Sequence, residues 1–174
     1  MNKLVKNILF LSLPSLMASL LFLEVVARVT WDEKRGVPAF RMLHAKRGYS
    51  LSPNYRGYYA GKPAKINNLG FRDDKDYAIE KKSNVFRIIV LGDSVTYGYG
   101  VKFKYTWPYI FQKQLEKWKP EIDWQVWNMG VPAYEMESEL KTLEDIGPIY
   151  KPDLVIVGFY ENDLDAPTFD YQTA

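Results

Sequence analysis

Residues 87–100 read RIIVLGDSVTYGYG, and the break inside that stretch limits the possible folds more than any other feature of the chain. An apolar run, Ile88 to Leu91, gives way at once to Gly92-Asp93-Ser94-Val95-Thr96. The longer segment Val85–Leu91 reads as a strand buried on both faces, the habit of strands in parallel sheets. Downstream, Thr106 is placed to cap a helix with Trp107 and Pro108 in its first turn. Trp107, Ile110, Phe111, Leu115 and Trp118 recur at helical spacing as core residues, and Pro120 follows the helix end. Trp124–Asn128 is a second short strand. Met136, Leu140, Leu143 and Ile146 mark a second helix, expected to stop at Gly147-Pro148, and Leu154–Phe159 is a third buried strand after the turn Lys151-Pro152-Asp153. Three strands with two intervening helices predict a parallel α/β sheet over residues 84–174.

The residues before it divide into a short tail (1–6), an apolar span (7–27) and a lead-in (28–83). Between Lys6 and Glu24 lie 17 uncharged residues, NILFLSLPSLMASLLFL. As a helix these rise about 26 Å, and continuing through Val25, Val26 and Ala27 approaches the roughly 30 Å of a hydrocarbon core. The span is expected to be an uncleaved transmembrane signal anchor, with a cleavable signal peptide as the alternative. Lys3 and Lys6 favour a cytoplasmic N-terminus and an extracytoplasmic domain on the cell-envelope side, whereas Arg28, Lys34, Arg35, Arg41, Lys46 and Arg47 weigh against it. Residues 28–65 are punctuated by Gly36, Pro38, Gly48, Pro53, Gly57, Gly61 and Pro63 and read as irregular. Their Tyr49, Tyr55, Tyr58 and Tyr59 are expected to pack on the domain, or else to form a basic-aromatic surface on lipid head groups or an anionic glycan. Asp73, Asp74 and Asp76 lack a regular ligand spacing and are expected in a solvated turn.

Charge is divided unevenly along the chain. Residues 1–65 carry 11 Lys/Arg against 3 Asp/Glu, and residues 66–174 carry 12 against 18. The acidic C-terminal part argues against a nucleic-acid partner. With no cysteine in the sequence, disulfides and thiolate metal sites are excluded.

In parallel α/β sheets, function gathers beyond the carboxyl ends of the strands. Those three ends read GDSVTYG, NMGVPAY and ENDLD. Ser94 follows its strand by two residues, Gly92 permits a sharp turn, and each end offers a group for acyl transfer. Ser94 is the candidate nucleophile; its own N–H, the N–H of Gly130 and the carboxamide of Asn162 are candidate donors to an oxyanion. Taken singly, each is equally a cap or a turn residue.

Ser94 in GDSVTYG, Gly130 in NMGVPAY 36 residues later and Asn162 in ENDL a further 32 residues on resemble the SGNH/GDSL hydrolase family. The PNYRG…INNLGFRD lead-in behind an apolar span looks like that of its envelope-anchored members. The resemblance implies a three-layer α/β/α, flavodoxin-like parallel sheet, of which about three core strands are present. It also implies Ser94 as nucleophile, Gly130 and Asn162 in the oxyanion hole, no metal and no cofactor. The implied substrate is a small-molecule, glycan or lipid O-acyl ester. Two positions depart from the family pattern: Tyr160 stands where glycine is usual, and an Asp-x-x-His block is missing.

A serine hydroxyl needs a base, normally a histidine held by a carboxylate. The sole histidine is His44, in the lead-in, with Arg41 three residues before it. The expectation is therefore a C-terminally incomplete serine esterase, weak or inactive as it stands. A non-catalytic membrane-anchored pseudoenzyme and a phosphate- or ligand-binding flavodoxin-like module remain as alternatives.

Overall fold

The computed structural model describes residue 10, residues 12–30 and residues 40–164. The chain forms two compact units, Met1–Lys34 and Arg35–Ala174.

In the first unit, α1 (Leu13–Thr30) exposes apolar side chains around its circumference, Leu16, Met17, Leu20, Phe22 and Leu23 among them. A transmembrane helix over 7–27 is not borne out: among the described residues no helix is long and apolar enough to cross a membrane. α1 rises about 27 Å over its 18 residues and includes Glu24 and Arg28, paired one turn apart at 2.8 Å. Residues 7–9 and 11 of the expected span, the tail 1–6, and Lys34 and Arg35 lie outside the described residues.

The second unit opens with two antiparallel hairpins where the sequence reads as irregular. β1 (Arg41–His44) pairs with β2 (Gly48–Leu51), and β3 (Arg56–Tyr59) with β4 (Lys62–Lys65). Four-residue strands are too short to display a period of two. The second turn is made by Ala60 (φ 50°) and Gly61 (φ 71°), the doubly positive pair that suits a two-residue hairpin. Three of the four lead-in tyrosines, Tyr49, Tyr55 and Tyr59, pack against the domain's core, as expected. Phe40 stacks on Tyr59 at 4.0 Å and meets Tyr55 and Tyr97 edge-on.

β5 (Val85–Gly92), β6 (Asp123–Asn128) and β7 (Leu154–Gly158) form the parallel sheet, in the order β6-β5-β7. The β5–β6 connection carries a single helical turn, α2 (Ser94–Tyr97), and then α3 (Trp107–Trp118); α4 (Met136–Tyr150) joins β6 to β7. The alternation along β5 builds three layers. Ile88 and Val90 join Trp124 and Val126 under Trp107, Phe111 and Leu115 of α3. Ile89 and Leu91 join Phe71, Trp127 and Met129 under Leu143 and Ile146 of α4. Each of these buried aliphatic side chains contributes about 1.5–3 kcal/mol.

Several details depart from the sequence reading. Ile110 and Trp118 of α3, and Met136 and Leu140 of α4, are exposed. The face that α4 buries is instead Ser138, Glu139, Thr142 and Ile146. Pro148 does not stop α4: it lies in the last turn, and Lys151, at φ 47°, closes the helix by donating its N–H to the Gly147 carbonyl at 3.0 Å. Among the described residues β7 lies at the edge of the sheet rather than buried, with Leu154 and Val157 about half exposed. The outer edge of β6, by contrast, is covered. The Gln112 carboxamide accepts from Val126 N–H at 2.9 Å, and Arg72 N–H donates to the Asn128 carbonyl at 3.2 Å.

Candidate active site

Because all three strands run the same way, their carboxyl ends share one rim. The register sets Val90 beside Asn128 and Gly92 beside Gly158, so the three loops expected to carry function leave the sheet as neighbours. Ser94 opens α2, a single turn, so the loop's own amides count here for more than any helix dipole. Asp93 is the N-cap: its Oδ1 accepts from Val95 N–H at 2.8 Å, and its Oδ2 lies 3.4 Å from Ser94 Oγ. It braces the loop. No acceptor of the Ser94 N–H is found among the described residues. Below the loop, Thr96 is fully buried and fits between two glycines, since a Cβ at either Gly92 or Gly158 would stand 2.1 Å from its Oγ1.

Gly130 lies directly behind the Ser94 turn. A Cβ there would fall 2.3 Å from Tyr97 N and 2.8 Å from Thr96 C, so only glycine lets the β6 loop approach α2 this closely. Its N–H donates to Asn128 Oδ1 at 3.1 Å, while the Asn128 amide reaches the Tyr97 carbonyl at 3.4 Å. Asn128 therefore ties the Gly130 loop to the serine turn. Asn162 sits in a 3₁₀ turn, Glu161–Leu164, half-buried, and its Nδ2 donates to the Tyr134 carbonyl of the β6 loop at 3.4 Å. The second and third strand-end groups are thus connected through the β6 loop, and the first and second through direct packing.

Three participants escape the sequence reading. Arg72 is 1 % exposed and donates to the carbonyls of Tyr97 (2.8 Å), Gly98 (2.7 Å) and Val101 (2.7 Å), the exit of the serine turn. Its position in GFRD gives a turn signal but none for burial. Glu139 and Asp163 are the others, both buried and both facing Asp93 and Glu135 electrostatically. Glu139 falls three and seven residues before Thr142 and Ile146, an acidic residue on the buried stripe of α4, and that spacing is the signal that could have found it. Asp73 also differs from expectation. It is 5 % exposed rather than solvated, and accepts from Lys75 N–H and Tyr77 Oη–H. Among the described residues no group of His, Cys, Asp and Glu could hold a metal ion.

Burial, and then the charges of Asp163, Asp93 and Glu135, push the Glu139 carboxyl up to about 8. Among the described residues neither of its oxygens has a hydrogen-bond partner. A carboxyl with a raised folded pKa holds more proton in the folded than in the unfolded state. Stability is therefore greatest below its ordinary value of 4.5 and declines as pH climbs toward 8. Chemical denaturation is expected to show a less stable protein at about pH 8 than at about pH 5. Glu139→Gln should remove most of that difference and stabilise the protein at the higher pH by about 3 kcal/mol. An unchanged pH difference in the variant would assign the effect to other groups.

Among the described residues no contact brings His44 to this rim. On β1 it meets Arg47 (2.7 Å) and Asp145 of α4 (3.3 Å), and burial followed by Arg47 holds its pKa below the usual imidazole value. Ser94 opens instead onto a groove of about 360 Å³ with Val95, Tyr99, Val101, Tyr105 and Trp107 in its walls, apolar and aromatic.

Ser94 thus stands at the end of the central parallel strand, braced by its preceding aspartate and backed by the Gly130 loop. The family model for GDSL-like lipase/acylhydrolase matches residues 88–174, the half of the chain that contains all three strand ends and all of the parallel sheet but the first three residues of β5. The chain belongs to that family, one of ester hydrolases that act on small-molecule esters. No curated protein matches it.

Proposed function

We propose that the protein is a serine acyl hydrolase in which Ser94 Oγ attacks the carbonyl carbon of an O-acyl ester. The alcohol departs with a proton, the acyl group stays on Ser94, and water then releases it as the acid. The oxyanion is held by the N–H groups of Ser94 and Gly130 and the carboxamide of Asn162; for Gly130 this means sharing or exchanging its bond to Asn128 Oδ1. The observation that carries the reading is the packing of Gly130 against Thr96–Tyr97, which holds the first two strand-end groups together on one rim.

The proton acceptor is assigned to a group outside the described residues, because His44 is committed to Arg47 and Asp145. The same observation favours a second reading, a pseudoenzyme that binds acylated ligands without turnover. The apolar, aromatic groove suits a lipid-like acyl chain or a sugar ring. The exposed apolar surface of α1, together with the apolar residues before it, supports attachment to a membrane, with the domain on the cell-envelope side.

Hydrolysis of a short-chain aryl ester and labelling by a fluorophosphonate test the proposal. Ser94→Ala should abolish labelling, and Asn162→Ala should slow hydrolysis by about 10²-fold. Equal hydrolysis by wild type and Ser94→Ala ends the esterase reading; binding without labelling selects the pseudoenzyme.

A further inference from the structure

A second cavity, of about 230 Å³, lies between the first hairpin and the α4 side of the sheet, and it shares no lining residue with the Ser94 groove. Its two sides differ in chemistry. Leu69, Phe71, Met129 and Ile146 give it apolar walls, whereas the hairpin contributes His44 and Arg47. An apolar cavity of about 150 Å³ already accepts a benzene molecule, so this one has room for a short hydrocarbon chain and a head group.

The charges at the hairpin side do not cancel. Lys46 satisfies Asp145 at 2.8 Å, while Arg47 stands 3.6 Å from the same carboxylate and 2.7 Å from a ring nitrogen of His44. The Arg47 side chain is only 15 % exposed. Two cations thus share one carboxylate, and one positive charge is in excess at the wall of a space lined mainly by apolar residues, with Ser50, Thr142 and Tyr150 also in its lining. A partly buried guanidinium with donors left beyond those facing His44 selects a planar anion over a neutral polar group.

We propose that this cavity is a second ligand site, taking a short-chain aliphatic carboxylate with its head group on Arg47 and its chain along Phe71, Met129 and Ile146. The site does not depend on the esterase reading.

Titration calorimetry of the whole chain with sodium hexanoate tests it, with hexanamide as the neutral comparison. Saturable binding at one site is expected, with hexanamide weaker by about tenfold, as the loss of one charge-assisted contact implies. Arg47→Gln should weaken hexanoate by a similar factor, Leu69→Trp should block it by filling the cavity, and Ser94→Ala should leave it unchanged. Absent saturation, equal affinity for the amide, wild-type affinity in Arg47→Gln, or loss of binding in Ser94→Ala each overturns the proposal. The last outcome would put the ligand in the ester groove. Because the amide comparison uses the unsubstituted protein, the test survives a variant that fails to fold.

Discussion

Arg72→Ala is expected to lower stability by about 4 kcal/mol, or about 10 °C in thermal midpoint, a large effect for one side chain. Three carbonyls at the end of the Ser94 turn lose the Arg72 donors together; that of Tyr97 keeps only the Asn128 amide at 3.4 Å and that of Gly98 only Val101 N–H at 3.3 Å, and each hydrogen bond lost from a charged donor is worth about 1.5–3 kcal/mol. Part of that loss is offset because a buried charge is removed. The guanidinium also lies over the Tyr97 ring at 4.4 Å, so packing is lost as well. Arg72→Lys separates the contributions. A single ammonium retains charge but cannot serve the carbonyls of Tyr97, Gly98 and Val101 with the same planar fork. It should recover less than half of the stability. Denaturant unfolding measures both, and full rescue by lysine would show that charge, rather than the fork, holds the turn.

Gly130→Ala is expected to cost about 3 kcal/mol, at the top of the usual range for overpacking. The atoms a methyl group would strike, Tyr97 N and Thr96 C, are backbone, and a backbone so packed cannot swing aside as a flexible side chain would. The β6 loop must retreat from the serine turn, so any Ser94-dependent hydrolysis should fall further than the unfolded fraction explains. Gly61→Ala is the control. Nothing lies within 4 Å of its Cβ position, and only the positive φ opposes the change, so about 1 kcal/mol is expected. Similar costs at the two positions would refute the close-packing role of Gly130.

The sheet was legible because its strands are made of aliphatic runs whose alternate residues feed two helical layers. Val85–Leu91 could hardly be anything else. The rim was legible for the same reason, since parallel strands send consecutive loops to one side and Ser94, Gly130 and Asn162 stand in those loops. The hairpins were not, because four-residue strands punctuated by glycine and proline carry no period. Burial of Arg72, Glu139 and Asp163 was hidden for a different reason. Charged residues announce solvent, and only the tertiary contacts reveal that Arg72 ties down carbonyls and that Glu139 replaces an aliphatic residue on the inner face of α4. Leu154–Phe159 misled in the opposite sense, as its apolarity suggested a strand covered on both sides, while the sheet leaves β7 at its margin.

β5 is bonded to a neighbour along both of its edges, and it is the strand that hands the chain to Ser94. Displacing the serine loop from below therefore means rupturing two ladders at once, an opening close to global unfolding. The nucleophile's position is in that sense a thermodynamic property of the whole sheet. Gating, where it occurs, falls to the flanking groove and not to the strand.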